Sequence, residues 1–200
     1  SARAWLKEAE VEVELETERQ GEFFLIKGKG TQWGTRVYVQ MVTELFQRGL
    51  TRCLVGTRGL LGEGWDASRT NTLVDLTTAT TTMTVNQLRG RSIRIDSEWH
   101  DKVADNWDVV CLASGEKGSG DFERFRLKHL ATYGVCEDGA IEKGVGHVHP
   151  SASLGLEMFN SDPSLLNVIN SEMLTRAGQR DATRKLWAVG EPYEATPTEV

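Results

Sequence analysis

The sequence predicts an α/β fold, a parallel sheet flanked by helices with a mainly helical C-terminal extension, and three observations carry it. Short apolar runs, CLVG at 53–56, TLVDL at 72–76 and WDVVCL at 107–112, have the length of strands buried on both faces. Between them lie stretches with apolar residues at helical spacing, the alternation a parallel sheet needs because each crossover takes a helix's worth of chain. The composition permits such a fold: 200 residues, 39% hydrophobic and 26% charged, can bury a sizeable core.

The chain opens on a different pattern. Residues 8–18, EAEVEVELETE, place glutamate at every even position, with Ala9, Val11, Val13, Leu15 and Thr17 between. Period two means a strand with one wet acidic face, its charges guarding an exposed edge. The run FFLI at 23–26 is a second strand and ends in the turn Lys27-Gly28-Lys29-Gly30. From 35 to 49 a helix is expected, with Val37, Met41 and Leu45 in one row, Val42 and Phe46 beside it, and Gly49 as its C-terminal cap. The strand at 53–56 leads into a glycine-bearing loop to Asp66. Then follow the strand at 72–76, a helix rich in arginine, the strand at 107–112, and an amphipathic helix over 121–131 that stops near Gly134.

From Cys136 to Pro150 the chain turns glycine-rich and irregular. Asp162 caps a later helix and Pro163 occupies its first position, with Leu166, Ile169 and Met173 on one face. The expected organisation is one domain over 1–135 and an accessory segment over 136–200, irregular and then helical.

A net charge of -6 excludes nucleic-acid binding by bulk charge, so any such contact has to be local. Cys53, Cys111 and Cys136 are odd in number and widely spaced, as buried thiols in a reducing compartment are. No run has the length of a membrane-spanning helix, and the first residues lack a signal peptide's apolar core. The chain is expected to be cytoplasmic, with no membrane partner. Because it starts without methionine inside a helical stretch, it is also expected to be part of a longer protein.

Two segments carry chemistry. VNQLRGRSIR at 85–94 crowds Arg89, Arg91 and Arg94 together, and arginine is the residue that grips phosphate with a planar, always-charged fork. VGTRGLLGEGWD at 55–66 contains Gly56, Gly59, Gly62 and Gly64, which let backbone amides approach an anion or take positive φ. Each segment follows a strand's C-terminal end, where ligands sit in open α/β sheets. Within Gln87-x-x-Gly90-Arg91-x-x-Arg94, the spacing places Gln87, Arg91 and Arg94 on one side of a helix.

Strand, then T-x-x-L-L-G-E-G-W-D, then strand, then Q-x-x-G-R-x-x-R resembles motifs V and VI of superfamily 2 helicases and translocases, in wording nearest their restriction-enzyme-like (type III restriction subunit-like) branch. The likeness covers roughly 23–113, and two motifs in order and spacing make it specific. It implies the second, C-terminal RecA-like domain of an ATP-dependent helicase or translocase. Arg91 and Arg94 would be arginine fingers toward a γ-phosphate, with Gln87 and Gly90 at the same interface. Asp66 would meet the ribose and Gly64 would supply the tight turn placing it. Thr57 and Arg58, and Gln32 with Arg36, would contact the nucleic-acid backbone, DNA first with RNA not excluded.

The chain has neither G-x-x-x-x-G-K-[ST] nor an acidic magnesium motif. The likeness therefore implies that ATP and Mg2+ are held by an N-terminal RecA-like domain of the same parent chain. The full-length protein would be the ATP hydrolase and this piece inactive by itself. A catalytically inactive RecA-like module serving as a nucleic-acid or protein scaffold is the alternative.

Plainer roles stand beside these. The arginines could pair with Asp96, Glu98 and Asp101 on a surface helix. Trp33, Trp65 and Trp99 are expected to pack rather than stack on bases. His147 and His149 with Cys136 lack a zinc spacing, so no metal site is expected. Arg176, Arg180, Arg184 and Lys185 read as a solvated face.

Overall fold

The computed structural model describes residues 1–62, 64–112, 119–136 and 138–188, and the chain divides into two compact units, Ser1–Thr70 and Asn71–Val200. The expected boundary at 135/136 falls inside the second unit.

In the first unit, α1 (Ala2–Glu8) precedes β1 (Glu14–Gln20), β2 (Phe23–Lys29) and α2 (Thr35–Gln47). The alternating stretch therefore becomes ladder strand only from Glu14. Its first residue ends α1, a run of good helix formers that turns Trp5 and Leu6 into the core. Val11 and Val13 still face inward, packed on Trp5, Leu6, Leu15 and Met41.

β1 and β2 pair antiparallel through a turn at Gly21, whose φ of 62° suits glycine. Leu15 stands opposite Gly28, and the Trp33 ring lies so close over Gly28 that an added Cβ would sit 2.1 Å from it. On the acidic face Lys27 pairs with Glu18 at 2.6 Å and Lys29 with Glu16. Gly49 ends α2 as expected: the Gly49 and Leu50 amides donate to the Phe46 and Leu45 carbonyls, both at 2.9 Å, with Gly49 at φ 70°. Residues 53–56 form no strand, and Val55 is 88% exposed. Among the described residues, that run has no ladder partner to convert its apolar character into a strand.

The second unit contains β3 (Thr72–Asp75), α3 (Thr82–Ser92), β4 (Asp105–Asp108), α4 (Ser119–His129), β5 (Tyr133–Val135), β6 (Ile141–Lys143), α5 (Leu156–Ser161), α6 (Ser164–Gly178) and α7 (Arg180–Leu186). Two 3-10 turns, Gly144–His147 and Pro150–Leu154, join β6 to α5. β3 and β4 run parallel, Thr72 opposite Asp105 and Asp75 opposite Asp108, with α3 as the crossover.

Among the described residues this pair is the whole of the parallel sheet, where the apolar runs had suggested more strands. The molecule is mixed α/β. The run at 107–112 was also placed too late, since the strand is Asp105–Asp108 and contains the polar residues that dock α3. β5 and β6 form a separate antiparallel hairpin. In front of α6, Asp162 accepts from the Ser164 amide at 3.0 Å, and Leu166, Ile169 and Met173 are half-buried as their spacing predicts. Among the described residues no helix is long and apolar enough to cross a membrane.

Candidate functional site

α3 lacks an apolar stripe, and its docking on the strands is mostly polar. Val85, Arg89 and Ser92 share one face, spaced four and three apart. Val85 is 1% exposed and Ser92 fully buried. The Ser92 hydroxyl lies 2.8 Å from both the Arg89 carbonyl and the Asn106 side-chain oxygen on β4. Arg89 donates to Asp108 Oδ2 at 2.7 Å and, more weakly, to the Thr132 hydroxyl at 3.4 Å.

Asp108 is the last residue of β4 and Asp75, opposite it, the last of β3. Lys128 from α4 bridges the two carboxylates at 2.8 Å to Asp75 and 3.1 Å to Asp108, its side chain 6% exposed. The second oxygen of Asp75 accepts from the Thr77 amide at 2.8 Å, turning the chain away from the strand end. Two anions thus meet two cations behind almost no solvent. Burial by itself would raise the Asp108 carboxyl. The His129 hydrogen bond and the charges of Arg89 and Lys128 outweigh it and hold Asp108 far below the ordinary carboxylate range.

His129 Nε2 lies 3.1 Å from Asp108 Oδ2 and 2.9 Å from Arg89 Nη2. One ring nitrogen cannot donate to the first and accept from the second at once, so the tautomer sets its role. Burial first, then Arg89 and Lys128, lower its pKa, so the ring is neutral at neutral pH. The rings of Phe125 and His147 meet it tilted by 60° and 50°, with centroids 4.8 and 5.1 Å away. Burial also pushes the His147 imidazole down to about 4, helped by His129, Arg89 and Arg176. Among the described residues this network is a balanced set of charges that locks helices to strand ends.

The motif residues are placed as follows. Gln87 is exposed on α3 and Gly90 half-buried. Arg91 is only 7% exposed, whereas the spacing had put it outward beside Arg94. Arg94 is exposed but lies beyond the end of α3 at Ser92, and its carbonyl accepts from Lys102 Nζ at 2.6 Å. The expected side-by-side pair is therefore split: the helix ends between the two arginines, so helical spacing no longer aligns them.

The glycine loop belongs to the first unit and is compact. The Leu60 and Leu61 amides both donate to the Thr57 carbonyl at 3.0 Å. Gly62 passes so close to the Arg58 carbonyl that a Cβ would lie 2.1 Å from its oxygen. Gly64 has φ +81°, as a tight turn before Asp66 requires. Thr57, Arg58, Asp66 and Arg36 are exposed, while Gln32 is committed to its own unit, accepting from the Glu12 amide at 2.6 Å. Trp65 packs: its indole donates to Thr43 on α2 at 2.8 Å.

Two arginines read as solvated turn inward. Arg180 pairs with Asp105 at 2.5 Å and donates to the Val103 carbonyl and, at 3.1 Å, the Thr72 hydroxyl. Arg176 donates to the Val148 and His147 carbonyls at 3.3 and 3.5 Å. His149 meets Glu172 at 2.7 Å, and among the described residues no three acidic, histidine or cysteine side chains are grouped to hold a metal. Sequence reasoning missed Asp75, Asp108, Lys128 and His129. The signal for two of them was an aspartate closing or interrupting each short apolar run, as in TLVDL and WDVV.

No protein-family model, curated protein or solved structure matches the chain.

Proposed function

We propose that the chain supplies the second, RecA-like lobe of an ATP-dependent nucleic-acid helicase or translocase. The observation that carries this is the β3–α3–β4 crossover. It sets Gln87-x-x-Gly90-Arg91-x-x-Arg94 on and just beyond the helix that follows a parallel strand, the order in which the resembling motor lobes present their arginines. Arg94, exposed past α3, is then the finger that faces a γ-phosphate held with Mg2+ on the N-terminal lobe. Its guanidinium meets charge spread over phosphoryl oxygens. Thr57, Arg58 and Arg36 are exposed for nucleic-acid backbone contact, and Asp66 for the ribose.

The inward turn of Arg91 favours a second reading, an inactive RecA-like module kept as a nucleic-acid or protein scaffold. DNA-stimulated ATP hydrolysis by the full-length protein separates the two. If the motor reading holds, Arg94→Ala lowers turnover by about a thousandfold without changing the folded state. Hydrolysis that is absent in the wild type, or unaltered in Arg94→Ala, sinks it.

A further inference from the structure

We propose that the His129–His147 pair, two imidazoles in tilted ring contact, is an acid-sensitive latch, closed while both rings are neutral and opened when either takes a proton. The latch joins the end of α4 to the turn Gly144–His147. Its ring centroids are 5.1 Å apart, and the Nδ1 atom of each ring is buried without a hydrogen-bond partner. A neutral imidazole tolerates that arrangement by leaving a bare lone pair at Nδ1. A protonated one must carry N–H there, where neither Nδ1 has a hydrogen-bond partner among the described residues. The Gly144 backbone beside His147 favours the charged ring but is outweighed by burial and the neighbouring cations.

The surrounding charges point the same way. His129 faces Asp108 from β4, Arg89 from α3 and Lys128 beside it on α4. His147 faces Arg89, Arg176 from α6 and the Gly144 backbone of its own turn. Asp75 and Asp108 already answer Lys128 and Arg89, and a further carboxylate beside the turn is Glu142 of β6, which lies against Gly146. A further proton on His129, which is 5% exposed, makes three cations with Arg89 and Lys128 against two anions; one on His147 is added beside Arg89 and Arg176. The low pKa of both rings agrees with this geometry.

β5 also crowds the His147 ring. A Cβ on Gly134 would lie 2.3 Å from the ring and 3.1 Å from its own Cβ, too near its root for the side chain to swing clear. Gly134→Ala is therefore a wedge that should open the latch without acid.

The test follows the histidine ring resonances of the full chain by NMR from pH 8 to 4. Amide exchange across 129–147, corrected for its intrinsic rate, is followed alongside. The expected result is a His147 ring that protonates near pH 4, with opening that rises by more than about tenfold per pH unit between 6 and 4.5, because both rings take protons on opening. His147→Phe keeps a ring against His129 and leaves only His129 to protonate, so it should lower that slope to about tenfold or less; Gly134→Ala should open the segment at pH 7. A His147 ring titrating at the ordinary imidazole value overturns the proposal. So does His147→Phe opening with the wild-type slope. If His147→Phe does not fold, the wild-type titration and slope decide alone.

Discussion

The two ends of the β3–β4 pair are each closed by a basic side chain that reaches both strands, and they differ in burial. At the C-terminal end Lys128 spans Asp75 and Asp108, with side chains 5–7% exposed. At the N-terminal end Arg180 spans Thr72 and Asp105, with the arginine 32% and the aspartate 18% exposed. Both ends have the same job, tying a later helix across two strands, yet they are built from opposite electrostatics. Asp108 has so many cations around it that its carboxyl is held down despite burial. For Asp105 burial is the larger effect; Arg180 offsets only part of it, and the carboxyl is pushed up. A buried charge is stable only when its partners outweigh its lost hydration, and the C-terminal end meets that condition where the N-terminal end does so in part.

The largest effect expected from this contrast is in a matched pair of isosteric changes. Asp108→Asn leaves Lys128, Arg89 and Asp75 with one negative charge too few and should cost about 3 kcal/mol or more. Asp105→Asn keeps the Arg180 bonds to Val103 and Thr72 and should cost about 1 kcal/mol or less. Urea denaturation of the two variants measures the difference, and equal losses would mean that burial does not separate the two ends.

Acid gives the next effect. His129 and His147 have folded pKa values below the ordinary 6.5, so the unfolded chain binds their protons first. Their contribution is complete above pH 6.5 and is lost as pH falls toward about 4. After allowance for the half-exposure of His147, its part of the loss is about 2 kcal/mol, and His129 adds to it in the same direction. Asp108 adds to it below pH 4, while Asp105, with a raised pKa, opposes it. Denaturation midpoints from pH 8 to 4.5 should therefore fall in wild type and fall less in His147→Phe.

The smallest effect belongs to the other unit. Lys27 and Glu18 pair across the hairpin at 2.6 Å, but each side chain is 54% exposed. Lys27→Ala should leave the denaturation midpoint unmoved, as solvent-exposed pairs usually do. A clear loss there would show that distance matters more than burial in this protein.

Much of the local structure was legible in the sequence. Gly49 and Asp162 marked a helix end and a helix start because their chemistry acts within one turn of chain. The strand at Thr72–Asp75 was legible from its apolar run. The strand at 53–56 was misread by the same rule, since such a run becomes a strand only where a neighbour offers a ladder. The 8–18 alternation correctly gave inward Val11, Val13 and Leu15, and the helical opening before it was legible too, though the alternation at 8–13 did not show that ladder pairing begins only at Glu14.

The motif glycines and arginines could be picked out by residue type and spacing, which determined by themselves that the 55–66 loop permits close backbone approach or positive φ, as Gly64 takes, and that α3 is rich in cations. Tertiary structure alone decided which cations face inward. Arg89 and Lys128 find their carboxylates 19, 20 and 53 residues away, and those separations leave no trace in any local window. A helix without an apolar stripe does not announce its buried side, so only the positions of β3, β4 and α4 could turn Arg89 and Arg91 in while Arg94, past the helix end, stayed out.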